Sequence, residues 1–182
     1  LNYEGNMSNL INKNYDIAVC GGGFAGISAA LAAAREGKKV ILFEKEYILG
    51  GLGTAGLVTI YLPLCDGIGH QVSFGIAEEL FRLSISHGAE AKLVRDLRGN
   101  SRKALGDKLL GTRTEKDKRF QVQYNPQVFA ILAEQLLIGA GVDILYGSYV
   151  VDAFVKENKI VYLTVENKSG RCEYYVKSVV DA

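Results

Sequence analysis

The chain has 182 residues, of which 48% are hydrophobic and 23% are charged. That length and composition suit a globular protein with one ordinary domain and a buried core. The formal net charge of +1 provides no overall field that would favour nucleic acid or an anionic membrane, so we expect neither as a partner.

The spacing of the cysteines and the residues at the start of the chain bear on the cellular location of the protein. The cysteines, Cys20, Cys65 and Cys172, are widely spaced and form neither a CxxC pair nor a metal-ligand cluster. We therefore predict a reducing, cytoplasmic location and no metal site. Residues 1–15 lack the features of a signal peptide and are predicted to be a flexible lead-in, and no apolar run reaches the roughly 18 residues of a membrane span.

A strand, a helix and a second strand are predicted at the start of the ordered chain. Residues 16–20 form an apolar run, residues 24–36 an alanine-rich helical segment, and residues 40–44 a second apolar run. Gly37 is placed to end the helix. The small side chains would let the helix lie close to the sheet, in a right-handed βαβ unit.

The middle of the chain predicts one further helix between two irregular segments. Residues 50–57 form a second glycine-rich loop, whose backbone should be approached closely by another group. Residues 71–86 have the apolar spacing of an amphipathic helix that ends at Gly88. Residues 98–119 hold eight basic and three acidic residues without periodicity, which predicts a polar basic loop or insertion.

The last third predicts a capped helix, a third strand and a meander. Asn125 is suited to be the N-cap of a helix with Pro126 in its first position. Residues 142–146 predict a strand, and the alternating runs of residues 148–176 predict an antiparallel β-meander. The final run, VKSVVDA, is apolar enough to re-enter a central sheet.

The turn after the first strand carries the pattern G-x-G-x-x-G. Gly21 would permit the tight turn, Gly23 would leave room for a pyrophosphate, and Gly26 would allow the helix and strand to pack closely. Amide groups at the helix start would face the anion. Glu44 ends the second strand, where a carboxylate can accept hydrogen bonds from the ribose hydroxyls and would repel a 2′-phosphate.

Three other interpretations of this turn remain open from the pattern itself. The glycines could serve helix–strand packing alone, with Glu44 a solvated strand end. An NAD-binding domain or an S-adenosylmethionine-binding domain would also have a glycine-rich first turn and an acid after the second strand. A methyltransferase is supported by nothing beyond that first turn.

The residues after Glu44 read KEYILGGLGTAG, which resembles the E-(K/R)-x-x-x-x-G-G signature of FAD enzymes related to glutathione reductase. In that superfamily a β-meander replaces a crossover helix. The segments GGLGTAGLV, LPLCDGIGHQVSFGIAEEL and YNPQVFAILAEQLL also resemble the FAD-dependent oxidoreductase family. The resemblance implies an α/β, Rossmann-like FAD/NAD(P)-binding fold over residues 16–182, in which a parallel sheet with helices carries the inserted meander.

The resemblance also implies a non-covalent FAD and the residues that hold it. Glu44 and Lys45 would lie at the ribose and adenine side, and the backbone of Val150 or its neighbour would touch the adenine. The residues implied at the pyrophosphate are Gly21, Gly22, Gly23, Phe24, Ala25 and Gly26. Those implied nearer the flavin are Gly50, Gly51 and Thr54.

Members of the family are longer and continue past a run like VVDA into a segment that closes on the FAD. We therefore interpret this chain as an N-terminal portion with an incomplete FAD site. No second G-x-G-x-x-G stands directly between a predicted strand and a predicted helix, so the sequence indicates no site for a pyridine nucleotide that would reduce the flavin.

The loop LCDGIGHQ supplies the candidate chemistry beside the flavin. His70 or Asp66 could act as acid or base, whereas Cys65 and the Asp66-Gly67 pair also suit a packed residue and a turn. His87 is interpreted as a dipole partner at a helix end. The predicted function is an FAD-dependent oxidoreductase acting on a small molecule, and the alternative is a nucleotide-binding module without redox turnover.

Overall fold

The computed structural model describes residues 14–61, 64, 72–87 and 122–182. Its elements, in chain order, are β1 (Tyr15–Cys20), α1 (Phe24–Arg35), β2 (Val40–Phe43), a 3₁₀ turn (Gly51–Gly53), β3 (Ile60–Tyr61), α2 (Ile76–Ser84), β4 (Val122–Gln123), α3 (Pro126–Gly139), β5 (Asp143–Leu145), β6 (Tyr149–Lys156), β7 (Lys159–Asn167) and β8 (Gly170–Asp181). They belong to two compact units, of which the first comprises Leu1–Gly51 and Gln135–Ala182 and the second Leu52–Glu134.

The first unit is built on a six-stranded sheet in the order β5-β2-β1-β8-β7-β6. Strands β5, β2 and β1 are parallel, and β1 also pairs in parallel with the second half of β8. The first half of β8 pairs antiparallel with β7, and β7 with β6. The predicted meander is therefore confirmed, and so is the return of the last run to the central sheet.

Both faces of the central strands are covered. Ile41 and Phe43 belong to a core cluster with Leu163 and Val165 of the meander, and the Phe43 ring meets Tyr174 edge-on at 5.0 Å. The alternate residues of β2 are also fully buried, and α1 packs against β1, β2 and β8. A strand buried on both faces is continuously apolar, which explains why VILF shows no alternation.

Helix α1 matches its prediction closely. Its buried residues, Gly26, Ile27, Ala30 and Leu31, recur at the spacing of one helix face. The amides of Gly37 and Lys38 donate to the carbonyls of Ala34 and Ala33, so the helix ends where the glycine predicted.

The first strand begins one residue earlier than predicted. Tyr15 is 2% exposed, and its hydroxyl donates to Asp143 Oδ2 at 2.6 Å, so this residue belongs to the sheet and not to a flexible lead-in. Residues 1–13 lie outside the described part of the chain.

The helix predicted over residues 71–86 is shorter than its apolar pattern indicated. Helix α2 begins at Ile76 because Gly75 has φ +67°, which a right-handed helix does not accommodate. Phe74, counted in the predicted apolar face, is 59% exposed. The boundary prediction was therefore wrong at the N-terminal end.

Helix α3 is capped as predicted. Asn125 Oδ1 accepts hydrogen bonds from the amides of Gln127 at 3.0 Å and Val128 at 3.1 Å, and Pro126 occupies the first helical position. No helix among the described residues is long and apolar enough to cross a membrane.

The second unit has a short antiparallel pair, β3 with β4. Tyr124 follows β4, and its hydroxyl lies 2.8 Å from the carbonyl oxygen of Gly53 and 3.0 Å from that of Val58. The ring of Tyr124 is buried and meets Phe129 edge-on. This tyrosine thereby fixes both ends of the loop that follows the 3₁₀ turn.

Candidate functional site

The turn from β1 to α1 lies at the carboxyl ends of the parallel strands. Gly21 has φ +111°, and a side chain there would overlap the carbonyl oxygen of Ala182 next to the end of β8. A side chain at Gly26 would overlap the carbonyl oxygen of Gly21. Gly26 is thus required by close backbone packing, as predicted, and Gly21 by the positive φ of the predicted tight turn and by the nearby carbonyl of Ala182.

Gly23 differs from its neighbours because its Cβ position is open. Among the described residues, a Cβ added there would have nothing within 4 Å, although Gly23 is the N-cap of α1. It has no side chain to accept a hydrogen bond from the first helical turn, and that turn contains no acidic residue. The helix start therefore combines open space with the positive end of the helix dipole, which is an arrangement that suits an anion.

Glu44 lies directly against this turn. Its side chain is 5% exposed, and its Oε2 accepts the amide hydrogen of Gly22 at 2.6 Å. Its Oε1 accepts from the amide of Glu46 at 2.8 Å. The acid predicted at the ribose is therefore beside the glycine turn, and it also stabilises the turn through a bond that the sequence pattern did not predict.

The second glycine segment also contacts the first. The amide of Gly50 donates to the carbonyl of Gly22 at 2.8 Å, and Gly50 forms an isolated parallel bridge with Gly23. A Cβ on Gly51 would lie 3.2 Å from the Cα of Gly23. The expectation that another group approaches this loop closely is confirmed, and the group is the backbone of the first glycine turn.

The remaining predicted cofactor residues differ in their exposure. Lys45 and Ala25 are exposed, Phe24 is half-buried, and Val150 in β6 pairs with Val165 and packs against the core cluster. Thr54 is buried and belongs to the second unit. Their roles toward FAD stay predictions.

The short segment after β5, Gly147 and Ser148, is hydrogen-bonded to the backbone at Glu44 and Glu46. This segment was not identified from the sequence. The amide of Ser148 donates to the carbonyl oxygen of Glu44 at 3.0 Å, and the amide of Gly147 donates to that of Glu46 at 3.2 Å. Ser148 is 2% exposed. The signal in the sequence that could have indicated this position was the pair Gly147-Ser148 between β5 and β6.

The candidate catalytic residues His70 and Asp66 lie outside the described residues, as do Cys65 and the basic segment 98–119. His87 is exposed three residues after the last residue of α2, and its Nδ1 lies 2.9 Å from the hydroxyl of Ser86. In the described part of the chain no group of three or more His, Cys, Asp or Glu side chains could hold a metal ion.

Cys20 directly precedes the turn at the end of β1. Burial raises its pKa to about 11, with a further contribution from the charge of Asp181, its partner across β1 and β8. At neutral pH the group is therefore the protonated thiol, which is a poor nucleophile. We therefore interpret Cys20 as a packed residue.

Comparison with known proteins identifies the family. The family model described as FAD dependent oxidoreductase matches residues 16–182. The chain belongs to this family. Its turn with Gly21, Gly23 and Gly26 and its acid at Glu44 are thus features of a member of an FAD-dependent family, and the resemblance noted in the sequence is confirmed.

Individual relatives of this FAD dependent oxidoreductase chain are distant. The chain is 32% identical to the thioredoxin reductase of Ureaplasma parvum over 72 residues, which are 40% of this chain and 23% of that protein. The GidA structure of Aquifex aeolicus is 26% identical with a TM-score of 0.55, covering 92% of this chain and 25% of that one. The THI4 structure of Thermovibrio ammonificans is 16% identical with a TM-score of 0.56, covering 93% and 57%, and it supports the fold alone.

The matched part of the chain is a minority of each curated relative. In five curated relatives, the matched part spans between 5% and 23% of the relative's length. The family match therefore gives the dependence on FAD, and the solved structures support a Rossmann-like fold.

Proposed function

We propose that this chain forms the FAD-binding portion of a flavin-dependent oxidoreductase whose substrate is a small molecule. The observation that carries the proposal is the placement of Glu44 against the glycine turn, beside the open face of Gly23. Packing alone would account for Gly21 and Gly26, but it does not account for a helix start whose N-cap is a glycine without a described residue within 4 Å of its Cβ position. A pyrophosphate fits that space.

Different residues of the first unit would bind different groups of the FAD molecule. The open face of Gly23 and the start of α1 would hold the pyrophosphate, and Gly51 would keep the second loop close to it. Glu44 would accept hydrogen bonds from the ribose hydroxyls with the lone pairs that its two amide donors leave available. When bound, FAD supplies the redox chemistry through its isoalloxazine ring, whereas the chain's residues bind and orient the molecule.

The same carboxylate would set the choice of nucleotide. A 2′-phosphate on the ribose would bring negative charge to a carboxylate that is 5% exposed, and repulsion is strong where water screens little. We therefore infer that the site discriminates against nucleotides of the NADP type. His70 and Asp66 stay our candidates for proton transfer, and a cytoplasmic location stays a proposal.

Titration calorimetry tests the binding proposal directly. The chain is titrated with FAD, ADP, 2′,5′-ADP and FMN. FAD and ADP should bind and compete for one site, whereas 2′,5′-ADP should bind at least tenfold more weakly and FMN should not compete with ADP. Absence of FAD and ADP binding, or equal binding of 2′,5′-ADP, would contradict the proposed site.

Redox turnover requires a separate measurement. The flavin bands of the FAD complex should bleach with dithionite and return in air. An adenine nucleotide that binds while FAD does not would instead favour a nucleotide-binding module without redox activity.

A further inference from the structure

The outer face of the meander carries a row of three aromatic rings. The rings of Phe154 in β6 and Tyr162 in β7 stack with centroids 5.0 Å apart, and the Tyr162 ring meets Tyr175 of β8 at 5.6 Å. Alternation along β7 directs Leu163 and Val165 into the core cluster, so the rings point to the opposite face. Phe154 is 47% exposed and Tyr175 is 38% exposed. The described part of the chain thus leaves this aromatic row uncovered.

Charges flank the row in the same order on the two strands beside β7. Strand β6 reads DAFVK over residues 152–156, and β8 reads EYYVK over residues 173–177. In each strand an acid lies two residues before the ring and a lysine two residues after it, and alternation puts all three on one face. Both strands pair antiparallel with β7, so they run in the same direction. One side of the aromatic row is therefore acidic and the other side is basic.

Contacts within the chain account for the rings but not for this order of charges. Cross-strand aromatic pairs stabilise neighbouring strands by themselves. In the register, however, Thr164 pairs with Asp152 on one side and with Glu173 on the other, so these acids have no lysine in their row. Four residues of extended strand span about 13 Å, which is too far for the acid and the lysine of one strand to form an ion pair. Lys177 bonds Asp16 at 2.7 Å, and 80% of its side chain stays exposed.

We propose that the outer face of the meander is a two-fold interface between copies of this chain. A two-fold axis that runs along the aromatic row would place the rings of one copy on those of the other. The same rotation would bring each acid opposite a lysine, because the two lie at equal distances from the ring. Asp152 would face Lys156 of the second copy, and Glu173 would face Lys177 of the second copy. Such an interface is isologous and closed, as in most homodimers.

The size of the face sets the strength of this dimer. Three strands about 4.8 Å apart, and four residue steps from acid to lysine, give a face of roughly 10 Å by 13 Å before the long side chains are added. That is at the low end of interface sizes, below about 1,200 Å² in total. We therefore expect a weak dimer that dissociates on dilution, and that weakens at high salt because its flanking charges are exposed. The inference does not rest on the proposed function.

Sedimentation velocity over a range of chain concentrations tests the interface. The unsubstituted chain should move from monomer toward dimer as its concentration is raised through the micromolar range. Phe154→Thr with Tyr175→Thr removes two rings from each copy but keeps residues suited to strands, and it should weaken the dimer about tenfold or more. Tyr47→Thr, which removes a 66% exposed ring from the loop after β2, is the matched control and should leave the dimer unchanged.

Charge reversal on β6 separates the two-fold arrangement from non-specific association of exposed rings. Asp152→Lys would set positive charges opposite each other twice in each dimer, and it should weaken association about tenfold. Asp152→Lys with Lys156→Asp restores opposite charges across the axis, and it should recover association to within about threefold of the unsubstituted chain. These variants keep all three rings, so they test the interface even where loss of the rings lowers the stability of the meander.

Three results would overturn the inference. The unsubstituted chain could stay monomeric throughout the concentration range, which would leave the face to a different occupant or to solvent. The dimer could survive the loss of both rings, which would place its interface on another surface. The double charge variant could associate no better than Asp152→Lys alone, which would show that these two positions do not face each other.

Discussion

The carboxylate of Glu44 and the backbone amide of Gly22 are joined by a buried hydrogen bond of 2.6 Å across 22 residues of sequence. The bond connects the end of β2 to the turn that begins α1. A methyl group on Gly22 would lie 2.8 Å from Glu44 Oε2 and 2.6 Å from a methyl carbon of Leu49, so no larger residue fits between them. Glu44 therefore has a structural role before any ligand binds.

Removing this carboxylate should lower both stability and nucleotide affinity. Glu44→Ala leaves the amides of Gly22 and Glu46 without their acceptor, and we expect the free energy of unfolding in urea to fall by about 2 kcal/mol. Glu44→Gln keeps one acceptor oxygen but turns an NH₂ group toward the second amide. Its free energy of unfolding should therefore also fall, but by less than that of Glu44→Ala. A Glu44→Ala chain as stable as the original would show that the bond contributes nothing.

Substitution by alanine should have different effects at Gly23, where the Cβ position is open, and at Gly26, where it is blocked. Gly23→Ala should cost at most about 1 kcal/mol of unfolding free energy, since its φ of −70° suits alanine and no atom of the described residues lies within 4 Å of the added methyl group. It should nevertheless weaken FAD at least tenfold because the methyl group occupies the space for the pyrophosphate. Gly26→Ala should destabilise by about 3 kcal/mol or more through overlap with Gly21.

Denaturant melts with and without FAD separate these two effects. A hundredfold excess of FAD over its dissociation constant adds about 2.7 kcal/mol to a chain that binds it, and Gly23→Ala, with FAD bound tenfold more weakly, should keep about 1.4 kcal/mol of that increment or less. Gly139→Ala, at a helical glycine with nothing within 4 Å of the added Cβ, is the matched control and should keep the full increment. Retention of the full FAD increment by Gly23→Ala would place the pyrophosphate elsewhere.

Local signals in the sequence were sufficient for the β1–α1–β2 unit. The apolar runs, the alanine-rich helix and the glycines act within about 30 residues, and each observed boundary lies within one residue of its prediction. The cap at Asn125 was equally local. Such features follow from backbone conformation and from contacts close in sequence.

Tertiary contacts explain what the sequence did not provide. Glu44 was predicted to face a ribose, but its bond to Gly22 depends on how β2 and the turn meet in space. Tyr15 and Asp143 are 128 residues apart, so their hydrogen bond gave no local signal. The early part of the predicted helix over residues 71–86 failed because the left-handed conformation of Gly75 overrode an apolar spacing that was otherwise helical.

The turn between β6 and β7 offers a stabilising substitution. Glu157 and Asn158 have φ values of 51° and 59°, both left-handed, as a two-residue type I′ hairpin requires. Glutamate is strained in that conformation, whereas the pair Asn-Gly is preferred there. The double substitution Glu157→Asn with Asn158→Gly should raise the free energy of unfolding by about 1 kcal/mol.

The control for this turn is Glu157→Gln, which removes the charge but keeps the strained backbone. It should change the unfolding free energy by less than about 0.5 kcal/mol in urea titrations. An equal gain from Glu157→Gln would attribute the effect to charge and not to backbone conformation.

Alkaline pH should destabilise the fold partly through Cys20. Its pKa is raised from 9.0 to about 11 in the folded chain, first by burial and then by Asp181, so between these values the unfolded chain has released a proton that the folded chain retains. The contribution is fully present below pH 9 and is lost as pH rises through about 11. Because the thiol is only partly buried, we expect the loss to be about 1 kcal/mol.

Urea unfolding at pH 7, 9 and 10.5 measures this contribution. Cys20→Ala should lose less stability over that interval than the unsubstituted chain. Burial and the hydrogen bond to Asp143 also raise the pKa of Tyr15, and this residue contributes equally to the pH dependence of the unsubstituted chain and of Cys20→Ala. Val179→Ala, beside the same core cluster, has no titratable group and should shift the curve by the same amount at each pH. If Cys20→Ala declined as steeply as the unsubstituted chain, another group would have to carry the alkaline loss.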